Sequence, residues 1–377
     1  MTASTDLSPL FQPITINGCT LPNRFVMSPM TRGFVQNGVV DEKAISYYRR
    51  RAEGGVGLIV TEGIAPSRDG ALADYAPDLL SDASQQVWRR VVSSVHEAGG
   101  RIMAQLWHAG LMRGMQGEVS SDGRTLGPSD TYPLLRPGEA DQILNRGMPM
   151  TDADIADTIA DCVRFAEVAR RLGFDGVEIH GAHGYLFDQF FWTEVNKRAD
   201  AYNGDIAQRC RFTCETVAAM RRATGPDFPI GIRISQWKSE HYDVKMLATP
   251  RDLEHFVGPL VAAGIDFFDC STRRYWEDGF DGESGTFAQW TRTVSGKPTI
   301  TVGSVGVNAP MNAHNIGEPA EVTVNVDDIA ARIAAGQFDM VAIGRALIAN
   351  PDYVDIVRAQ AFDRLKPYDQ RMLDELV

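Results

Sequence analysis

Short apolar runs that alternate with helical patterns constrain the fold of this chain more than any other feature. Eight such runs are predicted as strands: 25–30, 57–64, 101–106, 176–180, 230–235, 267–271, 299–302 and 340–344. Helical patterns fall between them at 42–52, 85–98, 153–172, 206–223, 253–263 and 327–335. Strands that alternate with helices form parallel sheets, and eight of them close into a barrel. We therefore predict an α/β fold, a single (β/α)8 TIM barrel domain over residues 1–377 with no linker dividing it.

The connections between these elements add two details. Thr151 and Asp154 have the spacing of a capping box, which predicts that the third helix begins there. Two connections are longer than a barrel needs, 108–150 after the third strand and 305–326 after the seventh, and both are rich in Gly and Pro. Long loops at the carboxyl ends of barrel strands shape access to a site, so we expect both to be excursions over that face.

Charge and cysteine content exclude several classes of function. The formal net charge of -12 argues against binding to nucleic acid or to an anionic membrane surface. Residues 1–13 lack both a basic region and a long apolar run, so we expect no secretory signal, no membrane span and a cytoplasmic location. The five cysteines include no Cys-x-x-Cys pair, which predicts neither a disulfide framework nor a cysteine-bound iron-sulfur cluster.

The fourth strand runs into the stretch of the chain that is richest in chemistry, residues 176–185 with the sequence GVEIHGAHGY. Apolar and polar residues alternate up to His180, as in a barrel strand. We predict that the strand ends at His180, and that Gly181 and Gly184 allow a tight turn after it. The side chains that follow should therefore converge on one small volume.

His180, His183 and Tyr185 are the candidate catalytic residues of this stretch. Two neutral imidazoles can donate hydrogen bonds to one oxygen and a nearby phenol can deliver a proton, which suits the activation of a carbonyl compound. A His-x-x-His pair is also half of a metal site, but no third ligand stands close in sequence, so we expect no metal. The three residues also fit satisfied polar groups at a barrel rim.

Residues at other strand ends belong to the same constellation, because the active site of a barrel lies where its strands end. Gly303 and Ser304 follow the seventh strand, and Gly344 and Arg345 follow the eighth. Small-residue turns and a guanidinium at these positions hold a phosphate in barrels of this kind. Gly303 also fits a plain turn.

The remaining strand-end groups suit a flat heterocycle. They are the Thr31 hydroxyl after the first strand, the Gln105 amide on the third and the Arg233 guanidinium on the fifth. An arginine inside an apolar strand is costly unless it meets an anion or another acceptor, which favours a functional role for Arg233.

In the order and spacing of its motifs the chain resembles the old yellow enzymes, a family of FMN-dependent ene-reductases. The resemblance extends from 10–13 (LFQP) and 21–24 (LPNR) to 344–351 (GRALIANP), and the segments 351–353 (PDY) and 366–368 (KPY) also match. It covers nearly the whole chain.

The resemblance implies the residues that hold a non-covalent FMN. Pro29, Met30 and Thr31 would pack along the isoalloxazine, with the Thr31 hydroxyl near flavin O4. Gly63 would leave room for the ring edge, Gln105 would bind the pyrimidine edge, and Arg233 would lie near N1 and O2. The phosphate would be held by Gly303, Ser304, Gly344 and Arg345. Gly63 also fits a plain turn. One branch of the family has cysteine in place of Thr31, so regulation by a flavin-contacting thiol is not expected here.

For the reaction, the resemblance implies that His180 and His183 bind the substrate carbonyl oxygen and that Trp107 lines the substrate pocket, although Trp107 also fits the core. NADPH or NADH, as a diffusible reductant, would reduce FMN. The flavin would pass a hydride to the β-carbon of an activated alkene, such as an α,β-unsaturated carbonyl compound, while Tyr185 protonates the α-carbon.

Two other functions remain open from the sequence. One is a phosphate-binding aldolase or isomerase barrel without flavin, and the other is a flavin-binding protein without turnover. The sequence does not indicate the physiological substrate, the choice between NADPH and NADH, or whether the chain forms a homo-oligomer.

Overall fold

Eight parallel strands form a closed barrel in the computed structural model, which describes residues 6–72, 76–114, 123–132, 147–239, 241–309 and 319–377. The strands are β1 Phe25–Met27, β2 Leu58–Ile64, β3 Arg101–Leu106, β4 Gly176–His183, β5 Ile230–Lys238, β6 Phe267–Ser271, β7 Thr299–Val302 and β8 Met340–Ile343. Each strand pairs with the next, and β8 pairs with β1 to close the barrel. The predicted fold and all eight predicted strands are confirmed.

The helices follow the strands in the alternation that the sequence predicts. They are α1 Lys43–Glu53, α2 Asp82–Glu97, α3 Asp152–Leu172, α4 Leu186–Phe191, α5 Ile206–Arg209, α6 Arg211–Thr224, α7 Pro250–Ala263, α8 Phe287–Ser295, α9 Val326–Ala334, α10 Arg345–Ala349 and α11 Tyr353–Arg358. The segment predicted as one helix at 206–223 is divided at Cys210 into α5 and α6. Within the described residues, no helix is long and apolar enough to cross a membrane.

Short elements decorate the barrel. They are four pairs of short strands outside the barrel. The pairs are Ile14–Ile16 with Cys19–Leu21, Val35–Gln36 with Val39–Val40, Leu126–Gly127 with Met148–Pro149, and Asp278–Phe280 with Glu283–Thr286. The predicted capping box at the start of α3 is confirmed. Asp154 N–H donates to Thr151 Oγ1 at 3.2 Å, and Thr151 N–H donates to Asp154 Oδ2 at 2.9 Å.

The interior of the barrel is apolar at one end and polar at the other. A cluster at the amino ends of the strands consists of Val26, Leu58, Val60, Met103, Phe267, Ile300, Met340 and Ala342, packed against the hairpin residues Ile16, Cys19 and Leu21. Further along the same strands the buried residues are polar: Ser28, Gln105, Glu178, His180, Arg233 and Asp269. The hydrophobic end stabilises the barrel by burial, and the carboxyl end is left to carry a site.

The two predicted loop excursions are described only in part, because 115–122, 133–146 and 310–318 lie outside the described residues. In the described part of the first, Leu111 packs against Trp192 and Val195, beyond the carboxyl end of β4. The Leu111 N–H also donates to Gln189 Oε1 on α4 at 3.1 Å. This connection therefore lies beside the loop that follows β4.

Candidate active site

The three candidate catalytic side chains meet at the mouth of the barrel. The ring centroids of His180 and His183 are 5.0 Å apart, and those of His180 and Tyr185 are 4.8 Å apart. All three line one cavity of about 370 Å³. The structure thus brings together the three residues that the sequence singles out.

The backbone that carries them differs from the prediction in one respect. β4 continues to His183, so the prediction that it ends at His180 is wrong. Gly181 lies within the strand, where a Cβ would be 2.7 Å from Ile232 Cδ1, so its small size permits close packing and not a turn. The turn comes later, where His183 has φ 64° and Gly184 has φ 85°. The His183 N–H donates to Ser235 Oγ at 3.1 Å, which supports this unusual conformation.

Both imidazoles are neutral near neutral pH. Burial, followed by the charge of Arg233, lowers the pKa of His180 to about 3. Burial, followed by the neighbouring His180 and Arg233, holds the pKa of His183 well below its usual value. A neutral imidazole has one N–H donor, and its second nitrogen is an acceptor. Each ring can therefore donate one hydrogen bond to a ligand in the cavity.

One ring nitrogen of His183 already has a hydrogen-bond partner in the protein. His183 Nε2 lies 2.8 Å from Ser271 Oγ, and the ring stacks on Trp237 with centroids 4.1 Å apart. If Ser271 donates to Nε2, the imidazole proton is on Nδ1 and is available to a ligand. On the neighbouring ring, His180 Nδ1 is buried with no partner among the residues that the structure describes.

Tyr185 is half-buried and stands edge-on to Trp107, with ring centroids 5.2 Å apart. Trp107 lines the cavity and also packs in a small apolar cluster that includes Ala65 and Leu72. It is therefore both a pocket residue and a core residue. A Cβ at Gly63 would lie 2.7 Å from Trp107 Cε3, so the indole ring already requires a glycine at this position.

A buried ion pair holds the turn between His183 and Tyr185. Asp188 on α4 and Lys238 at the end of β5 are almost completely buried, and Lys238 Nζ lies 2.6 Å from Asp188 Oδ1. The other carboxylate oxygen accepts from the Gly184 N–H at 2.6 Å. One side chain thus connects the end of β5 to the backbone between the two candidate catalytic residues.

We expect Lys238→Met to lower the free energy of unfolding by about 3–5 kcal/mol, because it leaves the Asp188 charge buried without a cation. Urea denaturation measures the change. The double variant Lys238→Met/Asp188→Asn is the matched control, since asparagine is uncharged and still accepts from the Gly184 N–H. It should recover much of the lost stability, and a single variant as stable as the wild type would contradict this account.

A second cavity of about 140 Å³ continues the first toward β7 and β8. The two share the lining residues Pro29, Met30, His183, Arg233, Trp237 and Arg345. Thr31, Gly63, Gln105 and Trp107 line the first cavity, and Gly303, Ser304 and Gly344 line the second. Every site residue proposed from the sequence therefore faces one continuous space.

The far end of this space is cationic. Arg273 and Arg345 both line it, and no acidic side chain is found among its lining residues in the described part of the chain. Burial lowers the pKa of Arg345, and the charge of Arg273 contributes to that effect. Arg273 Nη1 is buried without a partner in the described residues, and its guanidinium lies 3.9 Å from the Tyr242 ring centroid. Two adjacent guanidiniums of this kind favour an anion between them.

The sequence reasoning missed Arg273, although it follows the end of β6 in the same way that Arg345 follows β8. The turn beside it is tightly built. A Cβ at Gly303, which has φ 139°, would lie 2.5 Å from the Thr272 carbonyl oxygen. Ser304 Oγ donates to the Arg273 carbonyl at 3.0 Å, so its hydroxyl is already engaged within the protein.

The floor of the cavity is a row of buried polar groups. Arg233 donates to Asp269 Oδ2 through Nε at 2.9 Å and through Nη2 at 2.6 Å, and Nη2 also donates to Ser28 Oγ at 2.9 Å. Gln105 Nε2 donates to Glu178 Oε1 at 2.8 Å. Asp269 supplies the anion that a buried arginine needs, so the burial of Arg233 does not by itself require a cofactor. Sequence reasoning missed Asp269 and Glu178.

One wall of the cavity comes from the segment 368–377, in which Tyr368 and Leu373 face the space. Arg32, the residue after Thr31, donates through Nη2 to the backbone carbonyls of Met372 at 3.2 Å, Leu373 at 3.4 Å and Glu375 at 2.7 Å. The buried Arg51 donates to the Val377 carbonyl at 2.6 Å. Two arginines thus fix this wall through its backbone.

No group of three or more metal-ligating side chains is found in the described residues.

The sequence profile of the NADH:flavin oxidoreductase / NADH oxidase family matches residues 9–363. The putative 12-oxophytodienoate reductase 13 of Oryza sativa subsp. japonica is 30% identical over 364 residues, covering 92% of this chain and 88% of that protein. The NADPH dehydrogenase of Geobacillus sp. (strain WCH70) is 31% identical over 345 residues, 91% of each chain. The crystal structure of Old Yellow Enzyme from Pichia sp. AKU4542 superposes with a TM-score of 0.79 at 25% identity, covering 99% of this chain and 91% of that one.

Proposed function

Because the chain belongs to the NADH:flavin oxidoreductase / NADH oxidase family, we propose that it is an FMN-dependent reductase of activated alkenes that draws electrons from NADPH or NADH. The resemblance to the old yellow enzymes is confirmed. One observation carries the proposal: a continuous space joins an arginine-lined end, where the described residues contribute no acidic side chain, to a chamber that holds two neutral imidazoles and a phenol.

The residues that line the space fit FMN. Arg273 and Arg345 would hold its phosphate, because both guanidiniums line this end of the space and none of the other described lining residues is acidic. Pro29 and Met30 border both cavities and would lie along the ring system, and Gln105 presents an amide to the same space. When bound, FMN accepts a hydride from the nicotinamide nucleotide and transfers one to the alkene.

The two imidazoles would bind and polarise the carbonyl oxygen of the substrate. His180 lies within β4 and His183 is the last residue of that strand, and both side chains line the same chamber. Ser271 would donate to His183 Nε2 and so keep the imidazole proton on Nδ1, where it can reach the oxygen. Because both rings are uncharged, they stabilise negative charge on that oxygen as hydrogen-bond donors.

Tyr185 would supply the proton that the α-carbon takes. Its ring stands between His180 and Trp107, which fixes its direction. A phenol hydroxyl can donate its proton and so act as a general acid.

We expect the purified protein to be yellow and to release FMN into the supernatant on acid precipitation, because none of the proposed contacts is covalent. Anaerobic addition of NADPH should bleach the visible spectrum, and cyclohexenone should restore it. FAD or no flavin in the supernatant would contradict the proposal, and the absence of flavin would favour an aldolase or isomerase. A flavin that NADPH reduces but that no enone reoxidises would indicate a binding protein without turnover.

A further inference from the structure

Two carboxyl groups lie completely buried beneath the cavity, Glu178 on β4 and Asp269 on β6. One oxygen of each has a partner. Glu178 Oε1 accepts from Gln105 Nε2 at 2.8 Å, and Asp269 Oδ2 accepts from Arg233 at 2.9 and 2.6 Å. Neither residue has a part in the reaction proposed above.

The remaining oxygens, Glu178 Oε2 and Asp269 Oδ1, are buried with no donor in the part of the chain that the structure describes. The charge of Asp269 and a hydrogen-bonding interaction with its carboxyl group both raise the pKa of Glu178, which makes the two carboxyl groups neighbours. Two ionised carboxylates cannot form a hydrogen bond, because neither has a proton to donate. One proton between them satisfies both orphaned oxygens and removes the repulsion of two buried like charges.

The charges around the pair indicate which group carries that proton. Ser28 on β1 and Gln105 on β3 are uncharged, and low pKa values keep His180 and His183 on β4 neutral. Arg233 on β5 is the cation of this layer, and it donates to Asp269 through two nitrogens. Burial, with the charge of Asp269 next in importance, raises the pKa of Glu178 to about 8. The proton therefore belongs to Glu178, and Asp269 is the salt-bridge partner of Arg233.

We propose that Glu178 and Asp269 share one proton at neutral pH, and that this pair, together with Arg233, sets the reduction potential of the bound flavin. The inference rests on the proposed function, since it places FMN above the pair. With one proton the layer of Arg233, Asp269 and Glu178 has no net charge. Loss of that proton adds a negative charge below the cofactor, which opposes the addition of electrons and lowers the potential.

The first experiment detects the proton itself. Infrared spectra of the protein labelled with ¹³C-carboxyl glutamate should show a C=O band of protonated acid at neutral pH. The part of this band that Glu178 contributes should be absent from Glu178→Gln, whereas the contribution of Glu62, whose pKa burial raises to about 7, should remain. The wild-type band should also be lost as the pH rises through the alkaline range. A wild type without any protonated-glutamate band at neutral pH would overturn the proposal, even if Glu178→Gln failed to fold.

The second experiment measures the midpoint potential of the flavin against pH. Glutamine in place of Glu178 is uncharged and can still donate to Asp269, so the potential of Glu178→Gln at neutral pH should equal that of the wild type. At alkaline pH the wild-type midpoint potential should fall further, because the buried pair loses its proton. This further fall should be absent from Glu178→Gln. Asp269→Asn should raise the potential, because Arg233 loses its counter-ion. If Glu178→Gln raised the neutral-pH potential as Asp269→Asn does, Glu178 would be ionised in the wild type and the proposal would be wrong.

The two experiments separate this inference from the proposed function. A protein that purifies without flavin would contradict the function, but the infrared band would still report whether the buried pair holds a proton. A yellow protein without that band would retain the proposed function and lose the inference.

Discussion

Tyr185→Phe is expected to slow reoxidation of the reduced protein by an enone by roughly two to four orders of magnitude, the usual weight of general-acid catalysis. Phenylalanine keeps the ring between His180 and Trp107 but removes the proton that the α-carbon would take. Reduction by NADPH needs no acid at this position, so that half-reaction should be nearly unchanged. Stopped-flow measurement of the two half-reactions tests both statements.

The imidazole variants supply the contrast. His180→Ala or His183→Ala should weaken the binding of phenols and enones, because a phenolate or carbonyl oxygen would lose one of its two donors. Tyr185→Phe should leave phenol binding nearly intact. If Tyr185→Phe reoxidised with cyclohexenone at the wild-type rate, the proton would come from water or another residue, and the proposed acid would be wrong while the histidine assignment would stand.

Arg233→Met is expected to have the second large effect, through two separate causes. It leaves Asp269 completely buried without its cation, which costs about 3–5 kcal/mol of the free energy of unfolding. It also removes the positive charge from the floor of the proposed flavin site, so the protein should lose FMN or hold it with a lowered reduction potential. Urea denaturation and the ratio of flavin to protein measure the two effects.

The double variant Arg233→Met/Asp269→Asn separates these causes. It removes the unpaired buried charge and should recover much of the stability, but it cannot restore the interaction with the cofactor. Full FMN occupancy with an unchanged midpoint potential in Arg233→Met would show that the arginine serves Asp269 alone.

The barrel could be predicted from the sequence because its buried parallel strands appear as nearly continuous apolar runs. The ends of the strands were less certain: β1 ends at Met27, two residues before Pro29, which has no N–H for a ladder hydrogen bond, and β4 continues past His180, where Gly181 packs closely on Ile232. The helices α4, α8, α10 and α11 were not predicted. Nearly all residues of α4 and α10 are buried, so these two helices show no polar face from which a helical period could be recognised.

Pooling the strand ends identified the residues that face the site, because that inference needs only the order of the strands. It could not identify which side chains contact each other across neighbouring strands. The strand register that places Arg233 beside Asp269 and His183 beside Lys238 is defined only once the barrel has formed. Glu178 is two residues before His180, so its side chain is on the same face of β4. This spacing alone could have identified Glu178 as a residue of the barrel interior near the site. Arg273 could have been found by the same rule that identified Arg345.

The wall at 368–377 has a consequence for the evolution and engineering of this protein. Arg32 and Arg51 hold the segment by its carbonyl oxygens, so its position does not depend on which side chains it carries. Leu373 can then be exchanged to reshape the chamber while the barrel, the proposed acid and the cationic end stay as they are, whereas Tyr368 is buried and its ring lies 5.8 Å from the Arg345 guanidinium. New substrate ranges should be accessible from libraries confined to these ten positions, with the two arginines and Tyr368 kept fixed.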